Sequence, residues 1–167
     1  VGTVNYLSSR SGDIMDEREY QQVRERLNQY PCVFEKAILT NRCACEKCQR
    51  LNIAERELAT CTSSTAQQRC IELLEQLSQN ARFALKLPNL TGTLPHGKMM
   101  KVQCGGLLGL HTLLFSESNT TQPAVGNIDA LITQALETYG DLKKLPYQEV
   151  VKFISHYQVR KSTINYQ

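Results

Sequence analysis

Apolar residues recur at spacings of three and four along much of this chain. From Asp13 to Tyr30, the positions Tyr20, Val23, Leu27 and Tyr30 fall on one face with charges between them. That pattern predicts an amphipathic helix, capped by Ser11 or Asp13 and ended by Pro31. A second and longer stripe is Cys70, Leu73, Leu74, Leu77, Ala81 and Ala84. It predicts a helix from Ser64 to about Leu85, with Ser64 as cap and Gln67 three residues on. Ile128, Leu131, Ile132, Ala135, Leu136 and Tyr139 predict a third helix stopped by Gly140. Pro146 suits the first turn of a last one carrying Val150, Val151, Ile154 and Tyr157.

The remaining segments are shorter. Ala54, Glu55, Arg56, Glu57 and Leu58 are good helix formers and predict a helix over Leu51–Thr60. Lys98–Cys104 reads as a short strand, Gly105-Gly106 as a turn, and Leu107–Phe115 as a buried helix. Cys32–Leu39 is apolar and too short for periodicity to separate strand from helix. Residues 40–49, 88–97 and 116–126 read as loops, the last the most linker-like. The expected fold is mainly α: a single compact helical domain over residues 13–160, with a cysteine-rich metal-binding loop and one or two short strands. Residues 1–12 form a flexible N-terminal arm in this reading, and residues 161–167 a polar tail.

Composition narrows the function classes. With 167 residues and 41% hydrophobic content, the chain can bury a core without a metal to replace it. The net charge of +3 is mild and spread out, which argues against nucleic acid as a partner. No run of 18 apolar residues occurs, so no membrane span is expected. Val1–Asn5 lacks the basic and apolar regions of a secretory leader, so Asn89 and Asn119 in their Asn-x-Thr triplets read as chance matches and the expected location is cytoplasmic.

Cysteine usage changes the picture most. The chain has seven, an odd number, at Cys32, Cys43, Cys45, Cys48, Cys61, Cys70 and Cys104. Cys43, Cys45 and Cys48 stand within six residues, too crowded for simple pairing. Clustered thiols of this kind point to soft-metal or redox chemistry. Cys43, Cys45, Cys48 and Cys61 form the first-choice metal set, with Cys32 and Cys104 as further cofactor ligands. Cys104 precedes a Gly-Gly turn where backbone N–H groups could approach a cluster. Cys70, on a helical stripe, reads as core. An iron–sulfur cluster, which needs four thiolates and is expected to be [4Fe-4S], ranks ahead of zinc, because a structural zinc site would show a second short knuckle. The spacing matches neither common ferredoxin run.

The expected function is thus an iron–sulfur protein for electron transfer, for redox sensing or as an accessory subunit, with a redox partner or a larger complex as protein partner. The alternative is a Zn2+-stabilised interaction module. A further alternative is a thiol-dependent redox enzyme using Cys104 or Cys48. His96 and His111 flank Cys104 at an unspecific spacing, and His156 suits a helix C-terminus. Asp16, Glu17 and Glu19 read as a solvated helix face. Gly105-Gly106-Leu107-Leu108-Gly109 lacks the lysine of a phosphate loop. No specific catalytic signature emerges.

Overall fold

The computed structural model describes residues 4–6, 15–87, 94–115 and 125–159. Helices dominate. In chain order the elements are β1 (Val4–Tyr6), α1 (Glu17–Leu27), α2 (Glu35–Leu39), β2 (Cys48–Ile53), β3 (Arg56–Cys61), α3 (Ser64–Ala81) and α4 (His96–Met100). A π-helical turn (Lys101–Gly105), α5 (Gly106–Leu114), α6 (Ile128–Tyr139), a 3-10 turn (Leu142–Lys144) and α7 (Tyr147–His156) follow. A three-stranded sheet of order β1-β2-β3 stands beside the helices, with β1 parallel and β3 antiparallel to β2. β1 thus lies inside the expected N-terminal arm. Ser11, Asp13, Asn89, Asn119, the tail 161–167 and most of the expected linker 116–126 lie outside the described residues.

Helix ends follow local chemistry. The Asp16 side chain caps α1 by accepting from the Glu19 N–H at 2.7 Å. Ser63, one residue before the expected cap, caps α3 by accepting from the Ala66 N–H at 3.2 Å. Gln67, free of a capping box, donates to the Pro31 carbonyl at 2.9 Å. Asn127 caps α6, and Gly140 at φ +80° closes it in the left-handed conformation glycine tolerates best.

Two expectations are corrected. The predicted helix over Leu51–Thr60 is instead the β2–β3 hairpin, whose register pairs Ile53 with Arg56 and Leu51 with Leu58. Helix propensity there is overridden by burial: Ile53 and Leu58 become fully buried against Tyr20 and Val23 of α1. The predicted strand at Lys98–Cys104 and turn at Gly105-Gly106 are instead one unbroken helical path, α4 through the π-turn into α5. Glycine weakens a helix in isolation, by about 1 kcal/mol relative to alanine. Here it permits contact: a Cβ on Gly105 would stand 2.7 Å from the Ile154 Cα of α7.

The main core joins α2, α3, the π-turn and α5–α7 through Phe34, Leu73, Leu77, Leu107, Ile132 and Ile154, among others. Buried Gln103 in the π-turn ties this core to the cysteine region. It accepts from the Ala37 N–H at 3.1 Å and donates to the Val33 carbonyl at 2.9 Å. Among the described residues no helix is long and apolar enough to cross a membrane.

Candidate metal centre

The cysteines separate into two groups because of one short extended segment. Arg42 and Cys43 donate their N–H groups to the Ala37 carbonyl at 3.0 and 3.2 Å. Ala44 donates to the Val125 carbonyl at 2.9 Å and accepts from the Ile128 N–H at 3.0 Å, while Cys43 and Val125 form a parallel bridge. Extended backbone sends successive side chains to opposite faces, and residues two apart to the same face only while the strand runs straight. Here the Cys45–Cys48 turn, closed by the Cys48 N–H on the Cys45 carbonyl at 3.1 Å, bends the chain away. Cys45 then borders a cavity under β3 and α3, and Cys43 contacts Cys104.

Cys32, Cys45, Cys48, Cys61 and Cys70 line that cavity together with Asp129. Four separate segments deliver the thiols. Cys32 follows Pro31 and is fixed by its N–H on the Ala59 carbonyl at 3.0 Å. Cys48 opens β2 and lies directly opposite Cys61 in the β3 register. Cross-strand partners of this kind have Cβ atoms about 4.5–5.5 Å apart. Cys70 comes from α3 two turns after its start. Val33, Phe34, Ala66 and Ile128 supply an apolar wall.

The sulfurs already receive donors. Backbone N–H groups of Lys47 and Asp129 donate to the Cys45 sulfur, so the N-terminus of α6 points at it. The Phe34 N–H donates to the Cys32 sulfur. The Cys32 thiol donates to Cys48, which raises Cys32 above the ordinary thiol range, with burial adding to the rise. The same bond holds Cys48 down, helped by the Arg50 charge. Burial raises Cys45 and pushes Cys70 up to about 12. The Cys61 Sγ donates to the Ser63 carbonyl at 3.1 Å. Asp129 is paired with Arg69 at 3.8 Å, and the buried Arg69 Nε has no hydrogen-bond partner among the described residues.

The donor set matches a soft metal in kind and number. The cavity is about 20 Å³, closer to the size of one ion or water than of a four-iron cube. Among the described residues no group of three His, Cys, Asp or Glu side chains is placed to hold a metal ion.

Cys43 and Cys104 form the second group. Both are buried. The Cys43 thiol donates to the Cys104 sulfur, as does the Tyr157 hydroxyl. The Cys43 donation, the Tyr157 hydroxyl and the Arg42 charge hold Cys104 at about 7, against burial. Arg42 in turn donates to the Tyr157 Oη at 2.9 Å and to the Val159 carbonyl. The histidines are engaged elsewhere: His96 with the Lys36 Nζ at 3.1 Å, His111 against the Phe115 ring at 4.9 Å between centroids, and His156 with the Lys152 carbonyl at 2.7 Å.

Of the six cysteines that the sequence offers as ligands, Cys32, Cys45, Cys48 and Cys61 share the cavity, whereas Cys43 and Cys104 stand apart from it. Cys70, expected as core, also borders the cavity, while Asp129 there, and Tyr157 and Arg42 at Cys104, carry no sequence pattern that marks them as site residues. Comparison with known protein families, with curated proteins and with solved structures finds no match to this chain.

Proposed function

We propose that this chain holds a thiolate metal centre in the cavity between the hairpin, α3 and α6, with Cys32, Cys45, Cys48 and Cys61 as ligands. The convergence of thiols from four chain segments on one apolar cavity carries the reading. Four thiolates are what a [4Fe-4S] cluster requires, and scattered ligands suit a cluster better than a zinc knuckle. N–H donors at Cys45 and Cys32 would stabilise the negative charge of bound thiolates and tune a reduction potential. A cluster so held serves single-electron transfer to a protein partner or redox sensing. Reduced thiols of this kind belong in a reducing compartment such as the cytoplasm.

Anaerobic purification followed by iron and acid-labile sulfide analysis tests the proposal. The expected result is stoichiometric iron with matching sulfide and a visible charge-transfer band. Protein free of both iron and sulfide would overturn the cluster reading. The small cavity favours one second reading, a single Zn2+ on the same thiols. That reading predicts a colourless protein with one equivalent of zinc, loosened by chelators.

A further inference from the structure

We propose that Cys43 and Cys104 form a second, redox-active site: a dithiol that a hydroperoxide oxidises to a disulfide. The proposal stands independently of the metal reading, since neither residue lines the cavity. Three observations carry it. The two thiols interact within one core cluster although their sequence positions are 61 residues apart: Arg42, beside Cys43, donates to the Tyr157 Oη at 2.9 Å, and a Cβ on Gly105, beside Cys104, would stand 3.1 Å from the Tyr157 Cβ. Cys104 lies in the π-helical turn Lys101–Gly105, a distortion that costs helical regularity and recurs at functional sites. Its sulfur accepts from two donors at once, Cys43 and the Tyr157 hydroxyl, while Arg42 donates to the same tyrosine. This arrangement stabilises a sulfur anion at Cys104 and provides a resolving thiol beside it.

Burial selects the oxidant. Cys104 is 2% exposed and Cys43 8% exposed, beneath the half-buried Arg42 and Tyr157. Such burial disfavours a bulky disulfide as oxidant more than a hydroperoxide, which is little larger than two waters. The Cys104 thiolate attacks one peroxide oxygen and the O–O bond breaks. The departing hydroxide takes a proton and leaves as water, and Cys104 becomes a sulfenic acid. The Cys43 sulfur then attacks the Cys104 sulfur, the S–O bond breaks, and the second hydroxide leaves as water with the Cys43 proton. Two thiols and one hydrogen peroxide give one disulfide and two waters, and two electrons pass from sulfur to peroxide. Disulfide formation brings the two sulfurs to a bond of about 2.05 Å.

The test uses the purified full chain as isolated, treated with stoichiometric hydrogen peroxide, alkylated under denaturing conditions and mapped by peptide mass spectrometry. The expected result is a Cys43–Cys104 cross-linked peptide, two fewer alkylatable thiols and full reversal by a dithiol reductant. Cys43→Ser should stall at a Cys104 sulfenic acid trapped by dimedone, and Cys104→Ser should give neither product. The wild-type map alone decides the pairing if a variant does not fold. Oxidation confined to the cavity cysteines, with Cys43 and Cys104 still alkylatable, would overturn the proposal. Iron and sulfide measured on Cys43→Ser separate the two sites: retention is expected, and loss would assign Cys43 to the metal centre and remove the second site.

Discussion

What each cysteine sulfur touches sets its ionisation, and the thiols here are pushed in both directions. Cys32 and Cys43 are raised by donating to another thiol, and Cys45 and Cys70 by burial. In the unfolded chain all four titrate near the ordinary value of 9.0. A raised folded value means that the folded chain keeps protons the unfolded chain releases. The stability tied to these groups is complete below about pH 9 and is lost as pH climbs above it. Cys104, held at about 7, runs the other way: its contribution is present above pH 9 and is lost as pH falls through 7, so it does not offset the alkaline loss. For metal-free, reduced protein, urea melts should show a midpoint that falls between about pH 9 and pH 10.5. A midpoint that stays level or rises over that interval would contradict this assignment. The thiols themselves were plain in the sequence, but their sorting was not. Spacing says how near Cys43 and Cys45 are along the chain, whereas the Ala44–Val125 and Ala44–Ile128 bonds decide which way each points, and those partners lie more than 80 residues away.

At the scale of elements, strong periodicity was legible and local propensity was not. α1, α3, α6 and α7 appear where their apolar stripes place them, with ends adjusted to Asp16 and Ser63. The hairpin hid because its turn carries Ala54-Glu55 rather than the Asn-Gly or Asp-Gly that marks such turns. Ala54 takes φ +53°, a left-handed conformation that costs an L-residue about 1–2 kcal/mol. Ala54→Gly should therefore stabilise the protein by about 0.5–1 kcal/mol, after glycine's own entropy loss is deducted. Chemical denaturation of the two proteins checks this, and a destabilised glycine variant would mean that the turn is not strained as described. The helix through Gly105-Gly106 hid for the opposite reason. Paired glycines look like a turn, and only the approach of α7 and the Leu77 side chain explains why small residues sit inside a helix.

For the whole molecule, the helical core and the hairpin are joined by the segment from Cys43 to Cys48, and the thiols lie on either side of it. The mainly α architecture was expected from stripes that bury Leu73, Leu77, Ile128, Leu131, Val150 and Ile154. The three-stranded sheet was not, because β1 pairs with β2 across more than 40 residues and no local pattern encodes that partnership. The central claim is that the cavity thiols, and not the Cys43–Cys104 pair, hold the metal. Metal content of single Cys→Ser variants, each confirmed folded by circular dichroism, tests it most directly. The account predicts that Cys45→Ser and Cys48→Ser lose most of their metal while α3 persists on its own apolar stripe. Cys70→Ser should retain metal at a stability cost of about 1–2 kcal/mol from burying a hydroxyl, and Cys43→Ser and Cys104→Ser should retain it too. Full metal occupancy in both Cys45→Ser and Cys48→Ser, or its loss in Cys43→Ser and Cys104→Ser alone, would contradict the account.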